Sequence, residues 1–215
     1  MNLSAFTPAS ALVTVVVLAL APFVAVMVTS FVKTVVVLSL LRNALGLQQV
    51  PPNIVLNGLA LVLTIYVMQP VGQEMMARVT TNTMPTDTSG MLTVFDQAKE
   101  PLRTFLVKHS SAGERAFLTR TAAHAQRQSG APPVATDFVI AIPAFVISEL
   151  SKAFQIGFLI FLPFLIIDLV ISNILLAMGM MMLSPTTISL PFKLLLFVLV
   201  DGWVKLAHGL VLSYS

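Results

Sequence analysis

Long uncharged apolar runs alternate with short polar segments along this chain. The first run, residues 11–32, has 22 uncharged residues, which is enough to cross a hydrocarbon layer about 30 Å thick. Pro22 lies inside this run and predicts a kink. The apolar periodicity continues past Lys33 and Arg42 to Gly46, a natural helix stop. The pattern therefore predicts a bent first helix that is longer than its membrane part.

The second uncharged run covers residues 54–71 and follows a turn built on the proline pair at 51–52. Asn53 is placed to cap the helix that this run predicts. Lys33 and Arg42 lie between the two runs, and no acid accompanies them. Under the positive-inside rule, we expect this short connection in the cytoplasm and the N-terminus and middle segment on the opposite side.

The middle segment, residues 73–136, differs in composition because it holds seven Lys or Arg and five Asp or Glu. Apolar residues at helical spacing predict an amphipathic helix in it, with Pro101 starting or kinking part of the helix. These residues are Met91, Phe95, Ala98, Leu102, Phe105 and Leu106. A second, shorter helix is expected over 114–128. The segment is interpreted as a polar helical lobe outside the lipid, between an apolar helical hairpin at 1–72 and another at 137–215.

Apolar character returns at residue 138 and lasts to 183, and a last apolar helix is predicted over 188–212. Forty residues of helix span about 60 Å, twice the thickness of a bilayer. One straight membrane helix cannot account for that length. Pro143, Gly157 and Pro163 are therefore expected to break or bend the helix, unless other protein covers part of it. The predicted fold class is an all-α membrane protein with long bent apolar hairpins.

Composition supports this class. The chain is 57% hydrophobic and 10% charged, against about 25% charged residues in ordinary soluble domains. Lipid or other subunits must therefore cover much of its surface. The small net charge of +3 is scattered along the chain, which argues against nucleic-acid binding.

Sites for catalysis or metal binding are not recognisable. The chain has no cysteine, which excludes disulfides and thiolate metal sites. Its three histidines lack metal-ligand spacing, and no nucleophile elbow or phosphate-binding glycine loop occurs. Asp168 and Asp201 could suggest an intramembrane aspartyl protease, but Asp201 lies in Val-Asp-Gly-Trp, without the glycine-flanked context of such enzymes. We therefore expect neither an enzyme nor a bound cofactor or metal.

Charges within the C-terminal apolar part each need a partner or water, because an ion in lipid costs at least about 2.5 kcal/mol. These charges are Glu149, Lys152, Asp168, Lys193, Asp201 and Lys205. Helical spacing allows residue 149 to pair with 152 and residue 201 with 205, which leaves Asp168 and Lys193. Alternatively, Glu149 pairs with Lys193 across helices or between subunits. A proton relay through Asp168 is disfavoured because no second titratable group accompanies it at helical spacing.

A methionine-rich loop separates the last two predicted helices, with Met178, Gly179, Met180, Met181 and Met182 followed by Leu-Ser-Pro. Methionine fills irregular gaps and repacks easily. The loop either fills space at a helix end, which the residues alone favour, or forms a soft seal around changing contents.

Two C-terminal stretches are similar to one known family. SELSKAFQIGFLIFLPFLIIDLVISNILLAMGMMMLSP and ISLPFKLLLFVLVDGW resemble the FliP/SctR family of export-gate subunits in bacterial type III secretion systems. The likeness is nearly continuous over residues 147–203. It extends more loosely to PLRTFL and FVKTVVVLSLLRNALGLQQVPPN. Flagellar members often carry a cleavable signal sequence, whereas this chain starts at its first helix, so the virulence-type SctR branch is expected.

The resemblance implies a non-enzymatic role and a set of partners. Several copies, expected as a pentamer, would assemble with SctS-type and SctT-type subunits into a cone-like entry portal for unfolded proteins. The large export gate and inner-membrane ring proteins would be neighbours. The location would be the bacterial inner membrane, with the polar lobe on the periplasmic side. No cofactor and no nucleic acid are implied.

The resemblance also implies roles for particular residues. Met180, Met181 and Met182, with Met178 beside them, would form a gasket in the pore. Glu149 and Lys193 would form a salt bridge between subunits, and Lys152, Asp168 and Asp201 would be further charges within the membrane region. Two other functions stay open. One is an ion- or proton-conducting subunit that uses Asp168 and Lys193, and the other is a structural membrane scaffold.

Overall fold

The computed structural model describes residues 8–81, 96–125, 134–180 and 182–215, and all regular structure in these ranges is helical. This confirms the predicted all-α class. The main helices are α1 (Pro8–Met27), α2 (Phe31–Ala44), α3 (Asn53–Thr81), α4 (Glu100–His109), α5 (Ala112–Ala125), α6 (Phe138–Ala177), α7 (Pro185–Leu199) and α8 (Gly202–Leu212).

Helix α6 is the central element, with 40 residues and an axis of about 60 Å. It runs without interruption through Pro143, Gly157 and Pro163, so none of the three predicted breaks divides it. Helix α2 makes the most extensive contact with α6. A β-carbon added at Gly157 would lie 2.3 Å from Leu40 Cδ1 of α2. The glycine therefore allows these two helices to approach closely.

The first predicted helix is broken, and the position of the break corrects the prediction. Helix α1 contains Pro22 and continues past it to Met27. The chain then turns at residues 28–30, and α2 leaves at 65° to the last part of α1. Gly46, with φ of +77°, lies just beyond α2, which confirms the predicted stop.

The last apolar run is also two helices rather than the one predicted. Helices α7 and α8 meet at 60°. Asp201, between them, has a left-handed backbone with φ of +52°. A β-carbon at Gly202 would lie 2.1 Å from the Phe197 ring, so a larger residue at this bend would have to displace the ring.

The polar segment shares a core with the apolar helices. Phe105 and Leu106 of α4 are buried with Ala141 and Phe145 of α6 and with Tyr214 near the C-terminus. The lobe is therefore packed directly on α6. Helix α3 runs from the first apolar segment into the polar segment without a break at residue 72.

The two helices predicted for this segment are present in part. Pro101 lies in the first turn of α4, in agreement with a helix start there. Met91 and Phe95 lie outside the described residues. The second predicted helix corresponds to α5, and residues 126–128 at its predicted end also lie outside them.

Two helical stretches are long and apolar enough to cross a membrane, at Asn53–Thr80 and Phe138–Ala177. If each bent pair, α1 with α2 and α7 with α8, counts as one span, the number rises to four among the described residues. The predicted membrane character is therefore retained in the fold.

Candidate functional site: the methionine loop and the buried charges

The methionine loop begins at a well-defined helix end. Gly179 N–H donates to Leu176 O at 3.0 Å, and Met180 N–H donates to Leu175 O at 2.9 Å. With Gly179 at φ of +72°, these bonds form a Schellman motif, which satisfies the last carbonyls of α6. Helix α7 then starts at Pro185, a residue suited to the first helical position. The loop is thus short and anchored by helix ends on both sides.

The methionine side chains of this loop point away from the core. Met178 is 60% exposed, Met180 is 41% exposed, and Met182 is fully exposed at 100%. Met181 lies outside the described residues. Clustered apolar side chains at a surface mark a contact with lipid, with another protein or with a ligand. The tip therefore presents an exposed apolar surface, and its role as a gasket stays a prediction.

A partly buried ion pair joins the two helices that carry the loop. Lys193 Nζ of α7 lies 2.6 Å from Asp168 Oδ2 of α6. Ser189 Oγ donates to the other carboxylate oxygen, Asp168 Oδ1, at 2.5 Å. Lys193 Nζ also donates to the backbone oxygen of Ala44, at the end of α2, at 3.4 Å. This cluster fixes the register of α6 against α7 and links both to α2.

A second buried cluster surrounds Glu149, whose carboxylate is fully buried. Lys33 Nζ of α2 lies 3.2 Å from Oε2, and Lys152 Nζ lies 3.0 Å from Oε1. The Tyr214 hydroxyl donates to Oε2, and Lys33 Nζ lies 3.5 Å from the centroid of the Tyr214 ring. Three donors thus satisfy this carboxylate, and they join α2, α6 and the C-terminus.

The polar lobe closes one side of this second cluster. Lys152 Nζ donates to the backbone oxygen of His109 at 2.7 Å, and the His109 ring lies 5.1 Å from the Tyr214 ring. Burial lowers the pKa of the His109 imidazole to about 4, although the Glu149 carboxylate opposes the shift. His109 is therefore neutral near pH 7, and the lysines alone balance Glu149.

The structure distinguishes between the pairs that spacing allowed. The local pair of Glu149 with Lys152 is formed, and Asp168 pairs with Lys193. Asp201 and Lys205 are joined by a backbone hydrogen bond at 3.0 Å, and the ion pairs of the described residues do not include these two side chains.

Glu149 and Lys193 belong to different clusters within this chain. The two clusters lie 19 residues apart on α6, or about 28 Å along its axis. A bridge between Glu149 of one copy and Lys193 of another stays a prediction.

Two residues of the second cluster were not recognised from the sequence. The positive-inside rule places Lys33 in a connection on the cytoplasmic side, whereas the residue is buried in α2. No sequence motif singles out Tyr214. Spacing along the chain offers no signal for Lys33, because its partner Glu149 is 116 residues away. The described residues contain no group of three or more His, Asp or Glu side chains placed to hold a metal ion.

Comparison with known proteins decides the family. The sequence model of the FliP family matches residues 14–210. The chain belongs to the FliP family. Among virulence relatives, this FliP-family chain is 54% identical over 200 residues to the Yop proteins translocation protein R of Yersinia pestis, and the match covers 92% of each protein.

Two other relatives support the same branch. Identity to the hypersensitivity response secretion protein HrcR of Ralstonia nicotianae is 49% over 210 residues, which covers 96% of this chain and 97% of HrcR. Identity to the virulence protein YscR of Salmonella typhimurium is 48% over 203 residues, which covers 92% of this chain and 93% of YscR. The resemblance predicted from the C-terminal motifs is confirmed, including the preference for virulence-type relatives.

Proposed function

We propose that this chain is a core subunit of the type III secretion export apparatus, without enzymatic activity. Copies of the chain, as a pentamer with SctS-type and SctT-type subunits, form the entry portal for unfolded secreted proteins in the bacterial inner membrane. The observation that carries the proposal is the match to named translocation and secretion proteins at about half identity over more than nine-tenths of the chain.

The apolar surface supports an assembly of several copies. Helix α6 is about twice as long as a bilayer is thick, yet large apolar side chains are exposed along much of it. Phe154, Phe158 and Leu159 are exposed near its middle, and Ile166 and Leu169 are exposed further along. Lipid cannot cover the whole helix, so neighbouring subunits bury the remainder.

The methionine loop is the part of the chain best suited to contact the exported protein. A portal for many sequences needs a surface that fits around any side chain and still excludes water. Methionine has three rotatable bonds and a polarizable sulfur, and it makes contacts of low selectivity. Met178, Met180 and Met182 are exposed, and together with Met181 they form the gasket in this proposal.

The salt bridge between Glu149 and Lys193 of adjacent copies is part of the same proposal, and it demands a rearrangement. Glu149 is fully buried behind Lys33 and Tyr214. A lysine from another copy reaches it only if one of these residues withdraws. Lys193 must also loosen its contact with Asp168. Assembly would therefore exchange one set of buried pairs for another.

The mass of the assembled complex tests the function. The chain is produced together with its neighbouring export subunits, purified in mild detergent and weighed by native mass spectrometry. We expect a complex that contains several copies of the 23.1 kDa chain together with the smaller subunits. If the chain is recovered only as a monomer while the other subunits are present, the portal function is wrong.

A further inference from the structure

A polar pocket lies between the end of α2 and the start of α3, and its lining residues belong to neither charge cluster. Its volume is about 410 Å³, and its lining residues are Arg42, Gln48, Gln49, Pro52 and Asn53. This volume falls in the range of small-molecule sites, about 300–1,000 Å³. Neither the methionine loop nor the paired charges use this pocket.

Arg42 enters the pocket with hydrogen-bonding capacity that the described residues do not use. Its Nη1 donates to Pro51 O at 3.3 Å and to Asn53 Oδ1 at 2.5 Å. Its Nε is buried, and the described part of the chain offers it no hydrogen-bond partner. A buried unpaired donor is costly, especially on a charged group.

The charge of Arg42 is also unbalanced. In the ion pairs that join two described residues, the cations are Lys33, Lys99, Arg103, Lys152 and Lys193. Arg42 is absent from this set, and the pocket lining contains no acid. The site therefore combines a planar cation, side-chain amides and no counter-ion, which is the chemistry of an anion site.

The surroundings of the pocket indicate where the anion comes from. Ile54, which follows Asn53, is 79% exposed, and Val55 is also exposed. These residues begin α3, one of the two helices long and apolar enough to cross a membrane. A polar cationic pocket directly beside exposed apolar surface matches a lipid, whose phosphate lies next to its hydrocarbon chains.

We propose that this pocket binds the phosphate of an anionic phospholipid. The Arg42 guanidinium donates to phosphate oxygens in the bidentate arrangement that arginine favours. The Gln48 and Gln49 amides donate to the remaining oxygens, and the acyl chains lie along Ile54 and Val55. Basic pockets beside membrane helices bind acidic headgroups by the same chemistry. The inference does not depend on the export function.

Lipid retention by the full-length chain tests this site. The purified chain in detergent is mixed with phosphatidylglycerol or with zwitterionic phosphatidylcholine, and bound lipid is counted by native mass spectrometry. We expect one phosphatidylglycerol retained in preference to phosphatidylcholine. Arg42→Gln should weaken its retention about tenfold or more, because hydrogen bonds to a charged group are lost. Arg42→Lys should be intermediate, because lysine lacks the planar fork.

Two further variants keep the test sound. Gln49→Glu changes an exposed side chain, so it adds a repelling charge without removing the contacts of Arg42 that support the fold. We expect it to weaken phosphatidylglycerol retention as Arg42→Gln does. Lys205→Gln removes another exposed cation, on α8, and should leave retention unchanged. Thermal unfolding of each variant identifies loss of folding.

Three results would overturn the assignment. The first is equal retention of phosphatidylglycerol and phosphatidylcholine by the unchanged chain. The second is a loss of phosphatidylglycerol retention in Lys205→Gln as large as that in Arg42→Gln, or unchanged retention in a folded Gln49→Glu variant. Either result would indicate non-specific attraction. The third is displacement of the lipid by glycerol 3-phosphate as effectively as by phosphatidylglycerol, which would assign the pocket to a soluble phosphate.

Discussion

At the scale of single residues, Glu149 is the most demanding position in the chain. A carboxylate removed from water is tolerated only when donors surround it, and removing one partner of a buried ion pair typically costs 3–5 kcal/mol. Here Lys33, Lys152 and Tyr214 supply the donors. Of these, Lys33 is the most deeply buried, so it has no water to replace the carboxylate if the pair is broken.

Replacing Lys33 by methionine should therefore destabilise the fold strongly. We expect the K33M variant to lose about 3 kcal/mol of unfolding free energy, because the buried Glu149 carboxylate loses a partner. Chemical unfolding of the purified chain in detergent measures this. The double variant K33M/E149L should recover much of the loss, since apolar residues often replace a buried ion pair at little cost.

Lys108 provides the matched control. It is an exposed lysine on α4 outside both clusters, so K108Q should change the stability by no more than about 0.5 kcal/mol. If K33M is no more destabilising than K108Q, the buried pair is not a stabilising feature of the fold.

The same residues mark a limit of prediction from sequence. Charge spacing correctly indicated the pair of Glu149 with Lys152, because both lie on one helix three residues apart. It could not indicate Lys33, whose partner is 116 residues away in the chain. A lysine at the edge of an apolar run has the same local pattern in a membrane loop as in a buried helix. Only the packing of α2 on α6 distinguishes the two.

At the scale of helices, hydropathy predicted where apolar segments lie but not where they break. The bend between α7 and α8 falls at Asp201 and Gly202, a dipeptide type that marks turns. That signal was present, but the apolar run around it concealed it. Conversely, Pro143 and Pro163 lie within an unbroken α6, because neighbouring groups in apolar helices can satisfy the carbonyls that proline frees.

The close packing of α2 on α6 leads to a prediction at Gly157. The G157A variant should lose about 1–3 kcal/mol of unfolding free energy, because the new methyl group would overlap Leu40, whose Cδ1 and Cβ lie 2.3 and 3.1 Å from it. Unfolding of G157A, L40A and the double variant gives a double-mutant cycle.

The double variant decides whether this overlap is the cause. L40A removes the atoms that the new methyl group meets, so the double variant should be more stable than the sum of the single effects predicts. Strictly additive effects would mean that the two positions do not contact each other and that Gly157 is not required for the approach of α2.

At the scale of the whole molecule, the family was predictable because its motifs are long and nearly continuous in the C-terminal part. The assembly was not derivable from hydropathy, since an apolar surface facing lipid and one facing another subunit have the same composition. The single chain now gives Glu149 and Lys193 partners of their own. A bridge between copies therefore needs a test that separates it from these internal pairs.

Charge reversal separates the two arrangements. If Glu149 and Lys193 bridge adjacent copies, E149K and K193E should each abolish assembly, and the double reversal should restore part of it. If Lys193 acts only by pairing with Asp168, the assembly that K193D loses should be restored by adding D168K. Native mass spectrometry of the complex measures both. Rescue by D168K/K193D without rescue by E149K/K193E would contradict the bridge between copies.

The central claim is that exported protein passes the methionine loop, and site-specific crosslinking tests it most directly. The chain contains no cysteine, so M182C is the only thiol in its variant. Met76, on α3 and 67% exposed, gives the control M76C. A secreted protein with a stably folded end is halted during export. We predict that M182C crosslinks to this halted protein and that M76C does not. Equal crosslinking at both positions, or none at M182C while secretion continues, would contradict the account.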